Sequence, residues 1–209
     1  VRPEVPASIP VLVFARTPVP GQVKTRLIPA IGAARAANLH RAMLWRTVNT
    51  AVQSAVGPVA LWCNPTSEHP YIAEIQRAFG LAVFRQNGAD LGERMHLAFC
   101  SQPGAGGGAL LVGTDCPFLE AADLQEAADG LRQGADAIIG PAMDGGYYLI
   151  GVRHSDEAVF SDIPWGTGRV LGATRGKLRD LGWRWQEIAT RQDVDRPADL
   201  AALADLMVY

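Results

Sequence analysis

Short apolar runs that do not alternate with polar residues constrain this chain most. Val11-Leu12-Val13-Phe14-Ala15 is the first. Residues 59–63, 81–84, 109–113, 135–140 and 147–152 follow at intervals with similar composition. A continuous apolar strand is buried on both faces, as in a parallel sheet lying between helices. The intervening stretches carry helical period: Leu44, Val48, Ala51, Val52 and Ala55 fall on one face, and so do Leu124, Ala127, Ala128 and Leu131. Leu200, Leu203, Ala204 and Met207 predict a last helix with Pro197 near its start, where proline is tolerated. The expected architecture is an α/β three-layer α/β/α sandwich with a mostly parallel sheet. Its 209 residues suit one domain, expected over 10–209 behind a flexible tail of 1–9.

Several function classes are disfavoured by composition. A net charge of −2 argues against a general nucleic-acid binder. No apolar run approaches the roughly 18 residues that span a bilayer, and the first residues contain no apolar signal region, so neither membrane nor export is expected. Cys63, Cys100 and Cys116 lack a CxxC spacing, which fits reduced thiols in a cytoplasmic protein. The glycine run 104–108 precedes a strand. A dinucleotide fingerprint must instead follow a strand and open a helix.

Charge is segregated along the chain. Residues 5–67 hold six Lys and Arg (Arg16, Lys24, Arg26, Arg35, Arg41, Arg46) and no Asp or Glu. Such a distribution points to an anionic ligand on the N-terminal side. In open α/β sheets ligands bind beyond the carboxyl ends of the strands. The loop after the first strand, Arg16-Thr17-Pro18-Val19-Pro20-Gly21-Gln22-Val23-Lys24-Thr25-Arg26, is therefore the first candidate for phosphate. It is not a Walker loop: Val23 stands where glycine is required before the Lys-Thr pair, and Pro18 and Pro20 remove amide donors. Arg16 and Lys24 are expected on phosphate oxygens. Arg26 is balanced between phosphate and an acid from the neighbouring half.

Carboxylates occupy other strand ends. Asp115 follows the fourth apolar run and is a candidate metal ligand, against the alternative of capping a helix near Leu119. Asp193 and Asp195 alternate, so an extended segment points both the same way, and two such carboxylates are costly without a cation between them. The alternative makes Asp195 the cap of the last helix. Asp144-Gly145-Gly146 is either a ligand-approach loop or a plain hairpin turn. Tyr147, Tyr148 and Trp165 could stack on a base or sugar, although aromatics there are more often core. Gly92 and Arg94 open a helix after the third strand and could touch ligand. Cys116 has no histidine nearby in sequence and reads as a small turn residue. The four histidines lack ligand spacing.

At these motifs the chain resembles a known family. Phe14-Ala15-Arg16-x-Pro18-x-x-Gly21-x-x-Lys24-Thr25-Arg26-Leu27, residues 90–95, 113–117, 140–149 and 163–165, and Asp193-Val194-Asp195-Arg196-Pro197-Ala198-Asp199-Leu200 are similar to a family of glycosyltransferase-like proteins. That family is related to 2-phospholactate guanylyltransferase and molybdenum-cofactor guanylyltransferase. The resemblance implies the GT-A, or nucleotide-diphospho-sugar transferase, fold. It implies Mg²⁺ or Mn²⁺ on Asp115, Asp193 and Asp195. It places the nucleotide or its phosphates on Arg16, Gly21, Lys24, Thr25, Arg26, Gly92 and Arg94. It puts a small-molecule acceptor near Gly145, Gly146, Tyr147 and Trp165, with Asp144 as a base. The first loop is proline-rich where those relatives carry a glycine-rich one, and Tyr147 stands where they have threonine, so the acceptor stays open.

The expected activity is metal-dependent transfer of a nucleotidyl group from an NTP to a phosphorylated or hydroxylated acceptor. Lys24 and Arg16 would neutralise charge on the phosphates, and positioning with electrostatics would do most of the catalysis. A glycosyltransferase using a nucleotide-diphospho-sugar is the alternative. A non-catalytic nucleotide or phosphate binder is the third reading.

Overall fold

A computed structural model describes residues 8–102 and 107–203. Seven strands form one sheet: β1 (Val11–Arg16), β2 (Val59–Asn64), β3 (Ala82–Arg85), β4 (Ala109–Gly113), β5 (Ala137–Pro141), β6 (Tyr147–Val152) and β7 (Trp185–Glu187). Their order is β3-β2-β1-β4-β6-β5-β7. All neighbouring strands run parallel except β6, which is antiparallel to both β4 and β5.

Among the described residues seven α-helices accompany the sheet: α1 (Ile28–Ile31), α2 (Ala33–Gln53), α3 (Pro70–Phe79), α4 (Leu91–Cys100), α5 (Ala121–Arg132), α6 (Glu157–Phe160) and α7 (Val170–Asp180). The pleat sends successive side chains to opposite faces. Val11, Val13 and Ala15 of β1 join Leu110 and Val112 in one core with Leu44, Val48, Ile72, Ile75 and Leu124 from α2, α3 and α5. Leu12 and Phe14 join Leu111 and Ile139 in a second core with Met95, Phe99, Phe160 and Leu178 from α4, α6 and α7. Both faces are thus covered, giving the three-layer sandwich expected of continuous apolar strands.

The structure adjusts the reading in several places. Val52 is exposed, and Ala55 lies beyond α2 in a left-handed conformation, so only the first three residues of that stripe are core. The Asp-Gly signal at 144–145 produces a hairpin in which the Ala142 amide donates to the Gly146 carbonyl at 3.0 Å, and this reverses β6. β7 escapes the apolar-run criterion because it is three residues long and polar at two of them. Residues Pro197–Leu203 form a 3-10 helix rather than an α-helix. Ala204 and Met207, residues 1–7 of the expected tail and 103–106 of the glycine run lie outside the described residues. Among the described residues, no helix is long and apolar enough to cross a membrane.

Candidate functional site

Two adjoining cavities open at the carboxyl ends of the parallel strands. The larger, of about 550 Å³, is lined by Phe14, Arg16, Lys24, Thr25 and Arg26 from β1 and its loop. Gly113, Thr114 and Asp115 from the end of β4, with Arg94, Tyr147, His40 and Gln86, complete its wall. The smaller, of about 350 Å³, is lined by Asp144, residues 166–168, Asp193, Arg196 and Asp199. Arg26, Gly166 and Asp195 border both.

Lys24 holds the loop to the floor. Its backbone is left-handed (φ 48°, ψ 41°), which costs a lysine about 1 kcal/mol and turns the chain into a 3-10 turn at Thr25–Leu27. The side chain is 3% exposed. Its Nζ donates to Asp115 Oδ1 at 2.5 Å and to the Val194 carbonyl at 2.6 Å. The Val194 amide in turn donates to the Asp115 carbonyl at 2.8 Å. Three segments far apart in sequence are therefore joined at one ammonium group. Arg26 pairs with Asp195, an acid from the C-terminal half. The expected division into a cationic side and an acidic side is corrected: the charges interlock. The ordinary wish of a buried ammonium for an anion explains this, because Asp115 supplies one.

Asp115 remains 60% exposed to the cavity although protein surrounds it. Desolvation by that surround pushes its carboxyl up. The Lys24 charge and hydrogen bond, with smaller contributions from His40 and Arg16, outweigh it and hold the group below the usual carboxylate range. It does not cap the following helix; Glu120 does, in a capping box with Asp123. Asp193 behaves in the opposite way. Desolvation and then the charges of Asp144, Asp199 and Asp115 push its carboxyl up. Asp199, in the first turn of the 3-10 helix, reaches back to accept from the amides of Asp195 (3.0 Å) and Arg196 (2.7 Å), while the Asp195 carboxylate is turned to Arg26.

The remaining candidates divide. Arg16 donates to the Gln22 carbonyl at 3.2 Å and keeps its exposed head at the cavity. Gly21 supplies the turn with φ +84°. Arg94 donates to the Gly88 carbonyl at 3.0 Å and faces the cavity. Gly92 does not line it: a Cβ there would lie 2.3 Å from the Phe160 carbonyl oxygen and against the Trp165 indole, so the missing side chain serves helix packing. Trp165 also stays off both linings, packed against the second core with Tyr147 at 6.3 Å. Tyr147 offers its ring to the cavity, but its hydroxyl is buried beside Thr174, and burial pushes its pKa up. Gly145 has φ +88° and approaches Gly168 so closely that a Cβ would sit 2.3 Å from its carbonyl oxygen. Asp144 accepts the Gly146 amide at 2.8 Å and borders the smaller cavity.

His40 and Gln86 are wall residues that the motifs did not single out. His40 Nε2 lies 2.9 Å from the Arg16 carbonyl, which can only accept, so that nitrogen carries the proton. Burial pushes the His40 pKa down, against the opposing pull of the Arg16 carbonyl and Asp115. Gln86 donates from Nε2 to the carbonyls of Trp62 (2.9 Å) and Ala15 (3.3 Å). It follows β3, so the strand-end rule applied there would have found it. His40 lies mid-helix and had no such signal.

Among the described residues no three His, Cys, Asp or Glu side chains are gathered closely enough to hold a metal ion. The donors nevertheless suit Mg²⁺ or Mn²⁺: they are hard carboxylate oxygens, and Asp193 carries an excess of negative charge around it.

The profile of a bacterial family described as "Uncharacterized protein conserved in bacteria (DUF2064)" matches residues 47–167. The chain belongs to the DUF2064 family. A protein from Desulfovibrio desulfuricans G20, assigned by inference as a nucleotide-diphospho-sugar transferase, is similar at 32% identity and a TM-score of 0.84, over 94% of this chain and 86% of that one. A CMP:2-keto-3-deoxy-manno-octonic acid synthetase complexed with CTP shares the fold at 15% identity and TM-score 0.58, over 96% and 98% of the two chains. So does the Mycobacterium tuberculosis H37Rv protein Rv0371c in complex with manganese, at 18% identity and TM-score 0.55, over 96% and 100%. No curated protein matches the chain. This DUF2064 member therefore has the fold of nucleotide-using transferases.

Proposed function

We propose that the protein transfers a nucleotidyl group from an NTP to a small acceptor with the help of Mg²⁺ or Mn²⁺. The observation that carries this reading is the larger cavity, where Arg16, Lys24, Arg26 and Arg94 meet Asp115 and Asp195 at the carboxyl ends of parallel strands. A triphosphate needs several cations, and a metal bound to it needs carboxylates; both are on one wall. The CTP complex and the manganese complex of the two distant fold relatives support the ligand classes. Among the described residues Asp115, Asp193 and Asp195 do not form one ready ligand set, so they would hold the divalent cation only together with the nucleotide, and the cation would supply charge neutralisation at the phosphates when bound.

The chain's own groups would do the following. Arg16 and Arg94 bind phosphate oxygens from the open side. Lys24 keeps Asp115 ionised and aimed into the cavity. His40 fixes the Arg16 carbonyl through Nε2 and so the start of the loop. The acceptor would enter the smaller cavity, with Asp144 close enough to that space to accept a proton from a hydroxyl. Gly145 shapes that space indirectly, by letting Gly168 of its wall approach closely.

Transfer from a nucleotide-diphospho-sugar is the second reading, favoured by the 32% identity to the Desulfovibrio protein. A thermal-shift screen of NTPs and nucleotide sugars, with and without Mg²⁺ or Mn²⁺, separates the two. Stabilisation by an NTP with metal, followed by pyrophosphate release with a hydroxylated or phosphorylated acceptor, is expected. Stabilisation by nucleotide sugars alone selects the second reading, and no stabilisation by either class rejects both.

A further inference from the structure

We infer that Lys24 and Arg26 hold the Asp115 and Asp195 carboxylates in reserve, so that a divalent cation binds tightly only together with a polyphosphate. The inference rests on the nucleotide reading above and adds an order and an interdependence to it. Two of the three expected metal ligands are already paired with cations: Asp115 with the buried Lys24 ammonium, and Asp195 with Arg26. A divalent cation arriving alone at Asp115 would sit a few ångströms from an ammonium that is only 3% exposed and that water barely screens. That repulsion weakens metal binding in the ligand-free protein.

A polyphosphate changes the balance. Lys24 has used two of its three hydrogens, on Asp115 and Val194, and lies almost wholly buried at the cavity's edge. Phosphate oxygens arriving beside Asp115 compete with it for that ammonium, and those beside Asp195 compete for Arg26, whose side chain is 58% exposed. Each carboxylate released from its cation becomes available to the metal, whose charge the phosphates also offset. Arg26 and Asp195 border both cavities, so moving that arginine toward phosphate also opens the wall between them. Metal and polyphosphate would therefore each raise the affinity for the other, as linkage requires.

Equilibrium dialysis on the whole protein at fixed free Mn²⁺ tests this. Tripolyphosphate serves as the probe, because its binding does not depend on a base. The wild-type protein is expected to retain Mn²⁺ at least about tenfold more tightly with tripolyphosphate than without it. Lys24→Met and Arg26→Met are each expected to raise Mn²⁺ affinity in the absence of tripolyphosphate, by about tenfold for Lys24→Met and about threefold for the exposed arginine. Both should shrink the gain that tripolyphosphate gives. Circular dichroism checks each fold, and Arg26→Met carries the test if Lys24→Met does not fold. Unchanged or weaker Mn²⁺ binding by folded variants, in a wild type that does bind tripolyphosphate, overturns the reserve while leaving the nucleotide reading intact. A wild type that retains neither Mn²⁺ nor tripolyphosphate overturns both.

Discussion

The two cavities border the same pair of residues, Arg26 and Asp195, yet they handle charge differently. In the larger one, each carboxylate has a cation, Lys24 lowering the Asp115 pKa and Arg26 taking Asp195, and Arg16 and Arg94 are left over. In the smaller one, Asp193 stands near Asp144 and Asp199, and its pKa is raised. The first has its carboxylates paired, with cations in excess, before any ligand arrives. The second is left acidic, although Arg196 also lines it. Balanced charge can be rigid and stable in the free protein, whereas uncompensated charge lowers stability until a cation or donor-rich ligand enters. The difference therefore separates a pre-organised wall from one completed on binding.

The largest expected effect breaks the matched side. Asp115→Asn removes the anion from a nearly buried ammonium. It should lower activity at least about 100-fold in a pyrophosphate-release assay and cost about 2 kcal/mol of stability in urea. Its pH signature follows from the lowered pKa. The wild-type carboxylate contributes stability above its unfolded pKa, and that contribution is lost as pH falls through the lower folded value. The difference between wild type and Asp115→Asn should accordingly close in strong acid. A difference that persists unchanged there counts against the ion pair as its source.

Glycine substitutions come next, because they separate packing from ligand contact. Gly92→Ala forces a Cβ against the Phe160 carbonyl and should cost about 1–3 kcal/mol, while nucleotide affinity of the folded protein stays within about twofold. Gly145→Ala meets both a positive φ and the Gly168 carbonyl. It should cost a similar amount and, unlike Gly92→Ala, weaken the acceptor step, because the displaced residues 166–168 line the smaller cavity. Equal effects of the two on acceptor KM would remove the distinction between the cavities. Arg16→Ala lies lower on the scale. Its exposed head should lose about 1 kcal/mol of nucleotide affinity, read by calorimetry, with stability unchanged to about 0.5 kcal/mol.

What the sequence made legible follows from distance along the chain. Six strands and the basic loop show themselves through runs of neighbours, because burial on both faces demands continuous apolar residues. Asp115 was findable because it directly follows such a run. The Lys24–Asp115–Val194 junction was not: its members are up to 170 residues apart, and the β1–β4 pairing and the bridge of Arg191 to Ala142 bring them together. Gly92 and Trp165 were assigned to ligand because a motif names residue types without saying which neighbour fills the space. In the folded chain each occupies the other's space. The hydroxyl of Tyr147 tells the same story: alternation put the ring beside the cavity, and α7 took the hydroxyl through Thr174.

The smallest effect probes the acidic side directly. Asp193 has a raised pKa from desolvation and then from Asp144, Asp199 and Asp115. A carboxyl with a folded pKa above its unfolded one lowers stability where it is ionised, and the penalty disappears as pH falls through the folded value and below the unfolded one. Asp193→Asn should therefore stabilise the ligand-free protein at neutral pH by less than about 1 kcal/mol, with the gain vanishing in acid. The same substitution should weaken Mn²⁺ retention in the presence of tripolyphosphate. Opposite signs in the two measurements would mark Asp193 as a residue whose cost in the free protein is offset by what it later binds. A loss of stability at neutral pH would instead place a cationic partner at Asp193 and make the two cavities alike.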